Sequence, residues 1–434
     1  MTKSGLVAII MPVFTIRSKA MRVIGIESSG AGTNNQIRGV ILEGAGKDEK
    51  IPVTRDDLLK APDGTLLHSA NYPSAKEYRK AIAQTVENFC TQLKQNKEKA
   101  PDFVVLPYDQ SKGTMEVLGL EVLSSELKKS FAKQGIAVKT MVIASVLHDY
   151  ENIDLIHVGK HQLSDADEAK LAQDAKLRAK VVATEGVPSN LSMVRIGQEA
   201  NSPLKKQELE QYRGKKNALI SLGGKTDNGA IQFTLEDAHN LINYAKRLSL
   251  KGYNVIFTNS PRTPNDVTDY LYEKCHSLHM NFYNSKKIAQ NVEDAANFRI
   301  YDGKYKEEFA QQAEKIGGNI YPAVLDVCDF VVNTHDSFSY TSDAAALGIT
   351  SVVYTGNHID FARRPDCRKL FEQCEKAGYA ISLDTAMGTL DQHKELKTKQ
   401  MTGVSAQLVK AMEKQVAEER IYQKQKAKSA QAAK

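Results

Sequence analysis

Residues 330–343 read Phe330-Val331-Val332-Asn333-Thr334-His335-Asp336-Ser337-Phe338-Ser339-Tyr340-Thr341-Ser342-Asp343. A short apolar run gives way to hydroxyls, and a helix begins among them. The run Phe330–Asn333 reads as a strand buried on both faces, as parallel sheets require. Ser337 or Ser339 can cap the helix that follows, which Gly348 ends. A strand, a polar turn and a helix start place free backbone N–H groups and the positive end of a dipole at one spot. That spot suits phosphate or another anion.

Related devices occur upstream. Arg22-Val23-Ile24-Gly25-Ile26-Glu27 leads into Ser28-Ser29-Gly30-Ala31-Gly32-Thr33-Asn34-Asn35-Gln36, with a helix starting near Asn34. Ala218-Leu219-Ile220-Ser221-Leu222 leads into Gly223-Gly224-Lys225-Thr226. A fourth cluster, Asn259-Ser260-Pro261-Arg262-Thr263-Pro264, follows the strand-like Tyr253–Thr258. Arg262 there can grip a phosphate or carboxylate through paired donors. Taken singly, each cluster also reads as a turn, a surface arginine or a capping loop. Their shared position at strand ends joins them, because ligands of open parallel sheets bind there.

Between the clusters, strands and helices alternate. Ser74 and Glu77 have capping-box spacing, ahead of an apolar stripe of Tyr78, Ile82, Val86, Phe89, Cys90 and Leu93. Phe103–Leu106, Met141–Ala144, Leu155–Val158 and Lys180–Ala183 read as further strands, and Ser351–Tyr354 as the strand after Gly348. Thr234 and Asp237 suit a helix opening, and Pro264 another. The expected fold is α/β: two Rossmann-like domains facing a cleft, with right-handed crossovers. The expected divisions are an extension over 1–20, an N-terminal domain over 21–200, a linker over 201–216, a nucleotide-binding domain over 217–385, and a basic, solvated helical tail over 386–434.

Composition narrows the function. The chain has 434 residues, 41% hydrophobic and 25% charged, with a net charge of +6. That charge is modest and partly in the tail, so a nucleic-acid partner is not expected. The five cysteines show no CxxC pair, which points to reduced thiols, a cytoplasmic location and no bound metal. Gly5–Ile16 is apolar but too short to span a bilayer. Met21, directly before the first strand, reads as a natural start.

Together the clusters resemble the mitochondrial fission ELM-like family, largely bacterial proteins with plant relatives and a GT-B-type fold. Gly32, Asn35 and Gln36 match its first loop. Thr184, Gly186 and Pro188 match its T-x-G-x-P segment, and Leu222-Gly223-Gly224 its I-G-G strand end. Arg262-Thr263-Pro264 matches its R-T-P, and Thr334, Asp336, Ser337 and Ser339 its T-x-D-S-x-S. The resemblance runs from about Met21 to Leu383. The chain departs from the pattern in three places. Asp343 stands where the family has Glu, His161-Gln162 where it has His-Asp, and Asn319-Ile320-Tyr321-Pro322 where it has Asn-Pro-Tyr. The C-terminal half is also similar in layout to the peptidoglycan N-acetylglucosaminyltransferases.

The resemblance implies a nucleotide sugar as substrate or ligand, with no separate cofactor. The implied binding set is Gly30, Gly32, Asn35, Gln36, Gly223, Gly224, Lys225, Thr226, Arg262, Thr263, Asp336, Ser337, Ser339, Tyr340 and Asp343. By analogy Gly223 and Gly224 hold the diphosphate and Asp343 the ribose. His161 is the candidate base of a metal-independent glycosyltransferase. Two alternatives stand beside it: a nucleotide-sugar epimerase, and a non-catalytic adaptor that binds a protein partner. An acceptor that is lipid-linked or at a membrane surface fits the first reading.

Overall fold

The computed structural model describes residues 21–432, apart from 29–30, 46–57, 109–112, 227–228, 292–293, 295–296 and 402. The expected extension over 1–20 and Gly30 lie outside the described residues.

Two six-stranded sheets carry the fold, and every strand pair in them is parallel. The first contains β1 (Val23–Ile26), β2 (Leu58–Leu59), β3 (Phe103–Pro107), β4 (Lys139–Ile143), β5 (Leu155–Gly159) and β6 (Val181–Thr184), in the order β2-β1-β3-β4-β5-β6. The second contains β7 (Asn217–Ser221), β8 (Asn254–Thr258) and β9 (Asn281–Tyr283). A separate parallel pair, β10 (Lys287–Ile288) and β11 (Ile300–Tyr301), follows in the chain. Then β12 (Phe330–Asn333), β13 (Thr350–Val353) and β14 (Ile381–Ser382) complete the second sheet, in the order β14-β13-β12-β7-β8-β9. The expected pair of doubly wound α/β units is therefore present.

The central strands are apolar on both faces because helices cover both. On one face of the first sheet, Ile82, Val86 and Phe89 pack with Leu127 and Phe131 against Ile24, Val104 and Val142. These come from the helices Ala75–Asn96 and Gly113–Lys133. Ser74 Oγ accepts from the Glu77 amide, as its spacing predicts. The first helix runs Ala31–Ala45 and so starts three residues ahead of Asn34. From inside the first turn, Asn34 holds both the N–H and the carbonyl of Ser28, each at 2.8 Å.

Two stretches differ from expectation. The 201–216 segment is not an open linker: Pro203–Leu209 is helical, and Leu209 and Tyr212 are buried against the second sheet beside Leu219 and Ile256. The tail is a helix, Val404–Ala432, but its beginning is not solvated. Leu408, Val409 and Met412 close the remaining face of the first sheet with Val23, Ile37, Val105 and Met141. The apolar spacing 408/409/412 is a helix stripe, and burial of that stripe outweighs the basic surroundings. Removing a buried leucine side chain costs the transfer energy and leaves a cavity. Leu408→Ala is expected to destabilise the protein by about 2–3 kcal/mol, read from its urea midpoint. An unchanged midpoint would mean the helix is not part of the core.

Among the described residues, no helix is long and apolar enough to cross a membrane.

Candidate functional site

The second sheet reverses its winding between β7 and β12, which lie side by side with Asn333 opposite Ser221. The crevice of an open parallel sheet lies beyond the strand ends at such a reversal. The loops leaving these two strands hold Gly223-Gly224 and the Thr334–Ser339 cluster. Arg262 arrives from the end of β8, the next strand out. Three of the four clusters, scattered in sequence, thus reduce to one place.

The glycine loop, however, is closed by the chain's own side chains. The Gly224 N–H donates to Asp336 Oδ2 at 3.0 Å, and the Gly223 N–H to Thr334 Oγ1 at 2.7 Å. Thr334 Oγ1 donates onward to Asp336 Oδ1 at 2.6 Å. Arg262 Nη2 pairs with Asp336 Oδ2 at 2.8 Å. The Gly223 carbonyl accepts from Ser260 Oγ and Thr263 Oγ1. The glycines are required here by crowding. A Cβ on Gly223 would stand 1.9 Å from both Asp336 carboxylate oxygens, and one on Gly224 would stand 2.1 Å from the Arg262 backbone. These amides, Arg262, Thr263 and Asp336, expected as ligand contacts, are bonded to one another.

Burial alone would raise the Asp336 carboxyl. Arg262, His358, the Thr334 hydroxyl and the Gly224 amide outweigh it and hold the pKa below its ordinary value. His358 Nε2 donates to the Thr334 carbonyl at 2.7 Å, and its Nδ1 faces Asp237 Oδ1 at 3.7 Å. Neighbouring parts are also committed. Thr226 closes its own loop onto Ile231 through its N–H and hydroxyl. Lys225 Nζ lies over the Phe298 ring, 4.9 Å from its centroid. Lys286 is buried and bonds the Thr263 and Phe298 carbonyls, fixing the 260s turn. Tyr340 pairs with Ser221 and tilts against Tyr321, ring centroids 4.9 Å apart.

The start of helix Phe338–Leu347 is different. Ser337 sits at its N-cap but makes no side-chain capping bond, so the first-turn amides keep their donors. Gln36, from the first unit, puts Nε2 3.5 Å from Ser339 Oγ, and its buried Oε1 has no partner. His161, from the turn after β5, stands edge-on to Phe338 with centroids 4.5 Å apart. It is 1% exposed, and neither ring nitrogen has a partner. Burial lowers its pKa to about 4, with Asp366 opposing and His335 and Arg364 assisting, so the ring is neutral. His335 has φ +61 and an unpartnered Nδ1, and its Nε2 bonds the Cys367 carbonyl. Buried polar atoms rarely go unpaired, and here several gather around one helix start.

Asp343 does not reach this spot. It is buried one turn further on, facing Ser189 and Arg195 of the crossover between the units. Beside it, Ser342 Oγ accepts from the Val187 N–H at 3.1 Å. Asn35 is likewise drawn to the crossover, accepting from Asn190 Nδ2 at 3.2 Å. Asp343 and Asn35 thus both meet the crossover between the units. Gly32 lies in the first turn of the Ala31–Ala45 helix. Among the described residues, no cluster of three or more His, Cys, Asp or Glu is placed to hold a metal.

Burial pushes the Asp343 carboxyl up to about 7. Between the ordinary carboxylate value and that point the native state holds a proton the unfolded chain has lost, so stability falls as pH rises through this window. Asp343→Asn removes the titration. It is expected to stabilise the protein by about 1–3 kcal/mol at pH 8 and by little at pH 4. Denaturation at the two pH values checks this, and equal shifts would contradict it.

Residues 121–296 match the family model described as Mitochondrial fission ELM1. No curated protein matches the chain. Among solved structures, S. aureus MnaA with UDP is 13% identical, covering 89% of this chain and 93% of that one, with a TM-score of 0.39. Methanocaldococcus jannaschii UDP-GlcNAc 2-epimerase, in complex with UDP-GlcNAc and UDP, is 10% identical over 90% and 97%, with a TM-score of 0.38. A Medicago truncatula protein complexed with UDP-glucose is 10% identical over 92% and 94%, with a TM-score of 0.37. The architecture assigned to this chain rests on its own two sheets.

Proposed function

We propose, for a chain whose likeness to the mitochondrial fission ELM-like family is borne out over residues 121–296, that the seam between its two units holds a nucleotide sugar by a phosphate at the start of helix Phe338–Leu347. One observation carries this reading. The helix start is uncapped, and Gln36 and His161 of the other unit bring buried, unpaired polar atoms to it. The helix amides and dipole supply the charge for the phosphate, Ser339 and Gln36 orient it, and Phe338 gives an apolar wall.

Such a site suits a metal-independent glycosyl transfer. Charge grows on the departing phosphate as the sugar bond breaks, and a fixed helix start stabilises it without reorganisation. His161 is neutral when the site is empty, as a proton acceptor must be. A bound anion beside it raises its basicity toward the useful range. An epimerase would need a second acid/base carboxylate at the sugar, and the carboxylate that acts on His161, Asp366, is paired with Arg364 at 2.8 Å. Calorimetric titration with common UDP- and GDP-sugars tests the binding, and sugar release with and without acceptors tests the transfer. Binding without turnover, or no binding, would move the account to the adaptor.

A further inference from the structure

We infer that Asp336 is the resident anion of the Gly223-Gly224 loop, and that it limits the cleft to gripping its ligand through a single phosphate. The inference rests on the nucleotide reading above and adds to it which phosphate donors remain.

A strand-ending glycine pair beside an arginine would ordinarily offer amides and a guanidinium to a second phosphate. Here a carboxylate of the same chain already holds those donors. Asp336 takes the Gly224 amide, the Thr334 hydroxyl and Arg262 Nη2, at 3.0, 2.6 and 2.8 Å. Its side chain has no solvent exposure, against 24% for Arg262. The Gly223 amide is held by Thr334, and the Gly223 carbonyl by Ser260 and Thr263. The fit is tight enough that no Cβ is tolerated between Gly223 and the carboxylate. A phosphate could enter this loop only by expelling a buried ion and breaking all three of its bonds. The Arg262–Asp336 pair is also neutral as a unit, so the loop adds little attraction for a second negative group. The Phe338 helix start, two residues from Asp336, keeps backbone donors for an anion.

The test compares UMP with UDP, titrated calorimetrically into the wild-type chain and two variants. In the wild type the two affinities are expected to agree within about threefold, since the added phosphate finds no new charged hydrogen bond. Asp336→Asn removes the charge that neutralises Arg262 and leaves the loop net positive, so UDP should tighten by about tenfold or more relative to UMP. If Asp336→Asn fails to fold, Arg262→Gln decides: its UDP-to-UMP affinity ratio should match the wild type's. A wild-type preference for UDP above about thirtyfold, or a ratio that collapses in Arg262→Gln, would show that Arg262 grips the second phosphate and overturn the inference. An unchanged ratio in folded Asp336→Asn would overturn it too. Failure of both nucleotides to bind the wild type would instead sink the nucleotide reading, and this inference with it.

Discussion

Gly223→Ala is expected to destabilise the protein by about 4 kcal/mol or more. The added Cβ would stand 1.9 Å from both oxygens of Asp336, well inside contact distance. Relief must come from one side. If the glycine strand end moves, the Gly223 bonds to Thr334, Ser260 and Thr263 are lost. If Asp336 moves, a buried carboxylate leaves Arg262 and the Gly224 amide. Overpacking costs about 1–3 kcal/mol, and breaking a buried ion pair about 3–5. Gly388→Ala is the control. It sits within helix Leu383–Asp391, and its Cβ would meet nothing within 4 Å. It should be neutral or stabilising by up to about 1 kcal/mol. Urea midpoints read both variants. A wild-type midpoint for Gly223→Ala would mean Asp336 does not pack on the loop.

That a glycine pair lies at the site was legible in the sequence; why it lies there was not. Strand, loop and helix starts follow local rules. Accordingly β7, β8, β12 and β13, the Thr234–Asp237 capping box and the Gly348 stop at φ +73 all appear where the residue pattern places them. Convergence of the three C-terminal clusters also followed, because one sheet reversal gathers its flanking loops. The contact that fills the glycine loop joins residues more than a hundred positions apart, and no local spacing encodes it. An aspartate in a hydroxyl-rich turn reads equally as ligand contact or as internal anion until its partners are placed.

The return of the tail was hidden for the same reason. Leu408 reaches the sheet face of Val23, almost the whole chain away. The 408/409/412 stripe was the available signal, and the surrounding lysines masked it. Asp343 shares a helix face with Ser339, since residues four apart lie one above the other, but it sits one turn deeper, where Ser339 meets Gln36 and Asp343 meets Ser189 and Arg195. Gln36 and His161 were visible as candidates, but their shared position around Phe338 required both units to be in place.

Binding of UDP-sugars to wild type and to Ser339→Asp is the most direct test of the account's central claim, that an anion seats at the start of helix Phe338–Leu347. Ser339 is in the first turn, where a carboxylate gains about 0.3–1 kcal/mol from the helix dipole. The variant should therefore fold as well as the wild type or better. The same carboxylate would occupy the donors a phosphate needs and repel its charge. Loss of one to two charged hydrogen bonds, at about 1.5–3 kcal/mol each, weakens binding on the order of a hundredfold. The account predicts a folded, undiminished melting transition together with that loss of affinity. Wild-type affinity in Ser339→Asp would place the ligand elsewhere and contradict it.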